Sequence, residues 1–376
     1  MDQQKAILNI SLTYFSILGL SPFKKIRTVQ VSCTIISFLI LFVLVFFRFA
    51  YEEISFNLVS DTFESSFTII HVLSKLIALT LNKDTFKELL EKTNRFWYFR
   101  NMSSQFQQNF DYSLKILKIA MKVFAIFVSV TAVIFVLRPI IGDSLAINCY
   151  VPEKLPMSVF IVFNNLVFFT AAFSVGSFDM FVCVMVVLAY LQLKTLNEVI
   201  IRLNLNKIGN RNDEQYCLKR IKMCIDYHNF LYGFLENLST VVSLTFLIHF
   251  TVAPITLCFE LFFILKSSKF VEIAKSCFYL TGIVVELLFF YCLPATYLTT
   301  ESEKMINVIY SSGWQNCDSP RIRKSIIIIM QRMQKPAVLS AGKMFSVNLE
   351  TCTQVFKMSL SFYTFLRMLE DKSQQK

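Results

Sequence analysis

Seven stretches of this chain are each long and apolar enough to cross a bilayer. They lie at roughly 30–50, 62–82, 117–140, 157–190, 237–265, 274–299 and 344–369. About 20 helical residues span the hydrocarbon, whereas a membrane strand needs only about 10. None of the seven alternates with period two, so strands are excluded. In lipid every backbone N–H and C=O must find its partner within the protein, and a helix supplies these partners within one segment. The sequence therefore predicts an all-α integral membrane protein, a seven-helix bundle. Composition points the same way. The chain is 55% hydrophobic and 17% charged over 376 residues, too little polar surface for a soluble domain of that size. Forty Phe against 8 Gly and 8 Pro favour packed helices over a loop-rich architecture.

Segments outside the spans are amphipathic or polar. "KAILNISLTYFSILGL" stops before Pro22 and reads as an amphipathic helix that lies at the interface or dips into the bilayer edge. The linker 83–114 and the stretch 195–236 are polar enough to carry helices beyond the bilayer. "SPRIRKSIIIIMQRMQKP" opens with a Ser-Pro helix start and closes at Pro336, which predicts a short amphipathic helix before the last span. Lysine and arginine set the orientation. Twenty-six of them flank the spans on the N-terminal side, against six on the other side, the C-terminal tail apart. The N-terminus is expected in the cytoplasm and the C-terminus outside. Four units follow: a cytoplasmic N-terminus with its interfacial helix (1–29), helices one to six with their extensions (30–299), a cytosolic anchor segment (300–340), and a seventh helix with a short extracellular tail (341–376).

Several function classes drop out. The formal charge of +11 is scattered between apolar runs and forms no stripe for nucleic acid. The three histidines, His71, His228 and His249, sit in no HExxH or Ser/His/Asp arrangement, and no glycine loop cradles phosphate, so neither an enzyme nor a cofactor is indicated. The ten cysteines form no CxxC pair and no metal-ligand spacing and read as free thiols, with Cys258 and Cys277 as a possible outer pair. "MDQQKAILNI" lacks the basic n-region and cleavage site of a signal peptide, so none is expected.

Polar residues inside spans carry more information, because charge in hydrocarbon is costly. Lys75 reads as snorkelling to the inner interface. Glu286 falls near mid-membrane, either as a structural hydrogen-bond partner or as a residue facing a ligand or water cavity. His71 and His249 read as packing residues. The last span differs from the rest. Ser346, Glu350, Thr353, Lys357, Ser361 and Thr364 recur at steps of three and four, which is one helix face. One helix encloses no pore, but several copies with polar faces inward do. Glu350, Thr353, Lys357, Ser361 and Thr364 are therefore expected to line a water-filled path shared between subunits. Phe365, Leu366, Met368 and Leu369 are expected to form an apolar gate at its outer end.

Two stretches of this region resemble a known family. "LSAGKMFSVNLETCTQVFKMSLSFYTFLRML" resembles the C-terminal signature of insect odorant receptors, and "YCLPATYLTTESEKMINVIYSSGW" the end of that family's sixth helix. The matching positions include Tyr291, Cys292, Ser302, Trp314, Gly342, Lys343, Phe345, Thr351, Lys357 and Ser359. Ala295, Cys352 and the Phe362-Tyr363 order depart from it. The resemblance is close over the last fifth of the chain and elsewhere rests on length, span pattern and topology. It implies an odorant-gated, non-selective cation channel. Such channels are tetramers, usually built with the olfactory co-receptor (Orco), in the plasma membrane of olfactory sensory neurons. It also implies an odorant pocket in the outer half of each subunit, between helices two, three, four and six. Candidates there are Phe67, His71, Val133, Leu137, Phe169, Phe173, Tyr279 and Ile283, mostly apolar, as suits a volatile ligand. The alternatives are a gustatory-type channel subunit, whose Thr-Tyr…Gln-Phe signature "SFYTFLRML" lacks, a G-protein-coupled receptor, whose charge bias is the reverse, and a transporter, whose internal repeat is not visible.

Overall fold

A computed structural model describes residues 2–17, 28–54, 56–97, 103–141, 145–203, 205, 211–266 and 270–374. The helices are α1 (Asp2–Ile17), α2 (Thr28–Tyr51), α3 (Phe56–Leu81), α4 (Lys83–Lys92), α5 (Ser104–Ile141), α6 (Met157–Ile201), α7 (Arg211–Lys266), α8 (Phe270–Val285), α9 (Leu293–Tyr310), α10 (Pro320–Met333) and α11 (Leu349–Gln374). A seven-residue π-helical turn, Glu286–Cys292, joins α8 to α9 without a break. Six of these helical stretches are long and apolar enough to cross a membrane. The seventh, α11, has the length, but its polar row lowers its apolarity. The chain is a seven-helix membrane bundle, as the apolar runs predict.

Helix α6 is the spine. From Phe178 to Ile200 nearly every side chain is buried, on all sides of the helix. A helix apolar all round belongs inside a bundle, and α3, α5, α7 and α9 pack about it. The 56 residues of α7 rise about 84 Å at 1.5 Å per residue, far more than the ~30 Å hydrocarbon. Its N-terminal half therefore projects beyond the bilayer, where α4 and α10 pack on it and the Tyr232 hydroxyl pairs with that of Ser302 on α9 at 2.7 Å. Ser319 caps α10, its hydroxyl accepting from the Ile322 N–H, and Ile322, Ile326, Ile329 and Met333 bury one face. The Ser-Pro start and the i, i+4, i+7 apolar spacing are thus realised.

Three expectations need correction or sharpening. Helix α1 is seated against α6 and α5. Ile7, Ser11 and Phe15 are buried, and the Tyr14 hydroxyl donates to the Ala125 carbonyl oxygen at 3.1 Å. The last span begins at Leu349 and not at 344, because a two-stranded hairpin, Ser340–Ala341 with Phe345–Ser346, occupies the start. Gly342 turns that hairpin at φ +61°, and its N–H donates to the Ser243 carbonyl oxygen of α7 at 2.9 Å. A Cβ there would lie 2.5 Å from Leu247 Cδ2, so the close approach needs glycine. Lys75 does not snorkel: it is fully buried. All ten cysteines are free, with Cys258 buried and Cys277 exposed.

Candidate ligand cavity and its charged floor

Lys75 is held from two elements. Its Nζ lies 2.6 Å from Asp179 Oδ1 on α6 and 2.5 Å from Glu286 Oε1 on the π-helical turn. The Tyr291 hydroxyl lies between the same Glu286 oxygen, at 2.8 Å, and Asp179 Oδ1, and shares its one proton between them. His71 Nε2 and His249 Nε2 stand 3.2 and 3.6 Å from Glu286 Oε1, and the two imidazoles stack with centroids 4.3 Å apart. Burying an ion is tolerable only when it is paired and hydrogen-bonded. Here one ammonium is shared by two carboxyl groups, with two imidazoles beside one of them. A π-turn adds one residue to the helical register, and such turns are frequent at functional sites. In this turn the Leu293 N–H reaches the Leu288 carbonyl, five residues back. Glu286 and Tyr291 thereby reach the same cluster from one turn.

Above this cluster lies a cavity of about 150 Å³. Helices α3, α5, α6 and α8 and the first residue of the π-turn enclose it. Phe124, Phe127, Phe135, Phe168 and Phe278 form aromatic walls, with Val72, Val128, Ala171, Ala172, Val175 and Gly282 between them. Its polar lining consists of Thr68, His71, Thr131, Tyr279 and Glu286. An apolar enclosure with a few converging polar groups is the usual form of a small-molecule site. His71, His249 and Glu286 also bring three donor atoms within 4.8 Å of one another, close enough to hold a metal ion. The ammonium of Lys75 on that same carboxylate oxygen repels a dication, so the geometry fits a metal poorly.

The candidates read from sequence fall into two groups. His71, Tyr279 and Ile283 line the cavity. Phe67 is half-buried and stacks on Phe63, and Phe173 is buried between Tyr14 and Phe169. Val133, Leu137 and Phe169 are 54%, 41% and 40% exposed on the outer surface of the subunit. These five do not line the cavity. Sequence reading missed Asp179, although it is the single charged residue in the run 157–190 and an intramembrane acid is itself a signal. It missed the Phe residues of α5 and α6 for lack of any such signal.

On α11 the inward stripe is Cys352, Val355 and Ser359, all buried. Glu350, Thr353, Lys357, Ser361 and Thr364 are all exposed on the surface of the bundle, as are Phe365 and Met368, while Leu366 is half-buried. The Leu369 side chain lies outside the described residues. The polar row is therefore not buried within the bundle. The π-turn packs against this helix, linking the cavity floor to it.

The profile of the 7tm Odorant receptor family matches residues 55–360, most of the chain. The chain belongs to the odorant receptor family. This is a family of multi-pass membrane receptors, not of enzymes. Odorant receptor Or2 of Anopheles gambiae is 27% identical over 147 residues, 39% of this chain and 38% of that relative. Odorant receptor 42a of Drosophila melanogaster is 24% identical over 151 residues, 40% of this chain and 37% of that relative. The chain thus aligns with under half the length of these odorant receptors. The olfactory receptor OR5 of Machilis hrabei, solved in complex with eugenol, superposes with a TM-score of 0.83 at 16% identity, covering 98% of this chain and 99% of that one. Its structure without that ligand gives the same TM-score at 18% identity. At these identities the likeness establishes the fold.

Proposed function

We propose that this odorant receptor is a subunit of an odorant-gated, non-selective cation channel. A small volatile molecule occupies the aromatic cavity, and the last helix of each subunit lines a shared pore. The observation that carries the reading is the continuity from cavity to pore helix. Glu286 lines the cavity, stands first in the π-turn, and that turn packs on α11, whose polar row is exposed. A ligand that changes the contacts of Glu286 has a short mechanical path to the pore helix. Lys357, exposed on that polar face, favours mixed assembly. Four copies of a lysine around one axis repel, and a tetramer with the co-receptor Orco dilutes them. The lysine and arginine bias supports a cytoplasmic N-terminus and an extracellular C-terminus. The plasma membrane of olfactory sensory neurons is the expected place of work.

The test is current recording in cells expressing this chain with and without the co-receptor. Odorant-evoked cation current that needs both subunits, and that persists when G-protein signalling is blocked, is the expected result. Current abolished by that block returns the reading to a G-protein-coupled receptor.

A further inference from the structure

The hydroxyl groups lining the cavity have a common property that goes beyond its aromatic walls: their protons are already committed. The Thr68 hydroxyl donates to the Glu64 carbonyl oxygen at 2.8 Å and so accepts from the Tyr279 hydroxyl. Tyr279 has then spent its one proton. The Thr131 hydroxyl donates to the Phe127 carbonyl oxygen at 2.9 Å. Glu286, held by the ammonium of Lys75, is a carboxylate and has no proton to give. His71 directs Nε2 at that carboxylate from 3.2 Å, so in the tautomer that carries a proton there, the proton faces Glu286 rather than the cavity. What remains for a ligand is a set of lone pairs, concentrated at the Glu286 end.

We propose that this cavity selects ligands with a compact apolar body and a single hydrogen-bond donor head, an alcohol, phenol or protonated amine. The head lies against Glu286 and His71, and the body against the phenylalanine walls. Carbonyl and ether odorants of the same shape bring only lone pairs. They place these against a carboxylate that repels them, and they leave the polar end of the cavity unpaired. Sites built to receive a hydrogen bond reject analogues that cannot make it far more strongly than hydrophobic pockets reject a methylene. A hydrogen bond to a charged group is worth about tenfold or more in affinity. The inference rests on the reading of this cavity as the odorant site.

The experiment compares benzyl alcohol, benzylamine, benzaldehyde and ethylbenzene, matched in size, and an aliphatic series of alcohol, amine, aldehyde and alkane. Each is applied to the receptor with its co-receptor, and concentration–response curves are read. The alcohol or the amine of a series is expected to activate at about tenfold lower concentration than its aldehyde or hydrocarbon. The lead of alcohol over amine, or the reverse, tells whether the head is neutral or charged in the site. Glu286→Gln, which offers an amide donor, should narrow the gap between alcohol and aldehyde. If that variant fails to reach the surface, the wild-type series still decides. Equal potency of alcohol, aldehyde and hydrocarbon overturns the proposal, as does a response confined to acceptor-only ligands. Gly282→Phe separates this failure from failure of the underlying reading. A Cβ at Gly282 meets only Phe127, at 3.9 Å, and a phenyl group there fills the cavity. Loss of responses in that variant, together with equipotent wild-type ligands, sinks the donor preference alone. Unchanged responses in that variant sink both.

Discussion

Replacing Lys75 by Met keeps the side chain's apolar stem and removes its charge. The wild-type ammonium sits between two carboxylate oxygens at 2.5 and 2.6 Å and is fully buried. Without it, Asp179 and Glu286 face each other with only the Tyr291 hydroxyl between them. Asp179 Oδ2 is buried and has no hydrogen-bond partner even in the wild type. Removing one member of a buried ion pair costs about 3–5 kcal/mol, because the partner is left charged and dry. For a chain of this length, roughly 2 °C of melting temperature corresponds to each kcal/mol. The expected drop is therefore about 6–10 °C, read by heating the detergent-solubilised protein and measuring the surviving monodisperse fraction. The partner substitution makes the argument sharper. Lys75→Met with Asp179→Asn removes the ammonium together with one of its two acidic partners, so Glu286 no longer faces a second acid. The double variant should regain most of the loss, giving a coupling energy of about 2 kcal/mol or more between the two sites. A single variant that melts within 2 °C of wild type, or a double variant whose effect is the sum of the two singles, would refute the claim that this cluster holds the bundle together.

Other perturbations probe different links. Gly342→Ala forces a Cβ into Leu247 at a positive φ and should cost about 1–2 kcal/mol of stability, seen as reduced surface expression, and normal expression would argue that the hairpin yields easily. Lys357→Gln should raise cation conductance or shift selectivity in the heteromer, and single-channel recording with unchanged current would place the pore elsewhere. Asn9, Asn101 and Asn237 each begin an Asn-x-Ser acceptor on the side assigned to the cytoplasm, so none should carry a glycan. A mobility shift on deglycosylation mapped to any of them overturns the orientation.

Several features were legible in the chain itself. The bundle follows from the length of the apolar runs and the need of backbone groups in lipid for internal partners. Helix α10 follows from Ser319, Pro320 and the isoleucine spacing. The exposed polar face of α11 follows from a row at helical steps, because polarity against an apolar background marks a direction. These are local properties, fixed by residues a turn or two apart.

The cavity and its floor were decided by tertiary structure. Lys75 has partners 104 and 211 residues away, and nothing in its own helix separates a snorkelling lysine from a paired one. The π-turn that brings Glu286 and Tyr291 to it leaves no mark in the hydrophobic pattern. The choice of cavity residues shows the same limit. Tyr279 and Ile283 point inward while Val133, Leu137 and Phe169 face outward, yet all five are apolar or aromatic. In a soluble protein the apolar stripe of a helix identifies its buried face. In a bilayer the outward surface is apolar as well, since lipid tails are as apolar as a leucine side chain. Hydrophobicity then carries no information about which way a helix is turned. Only packing against its neighbours fixes that rotation, and with it the residues a ligand meets.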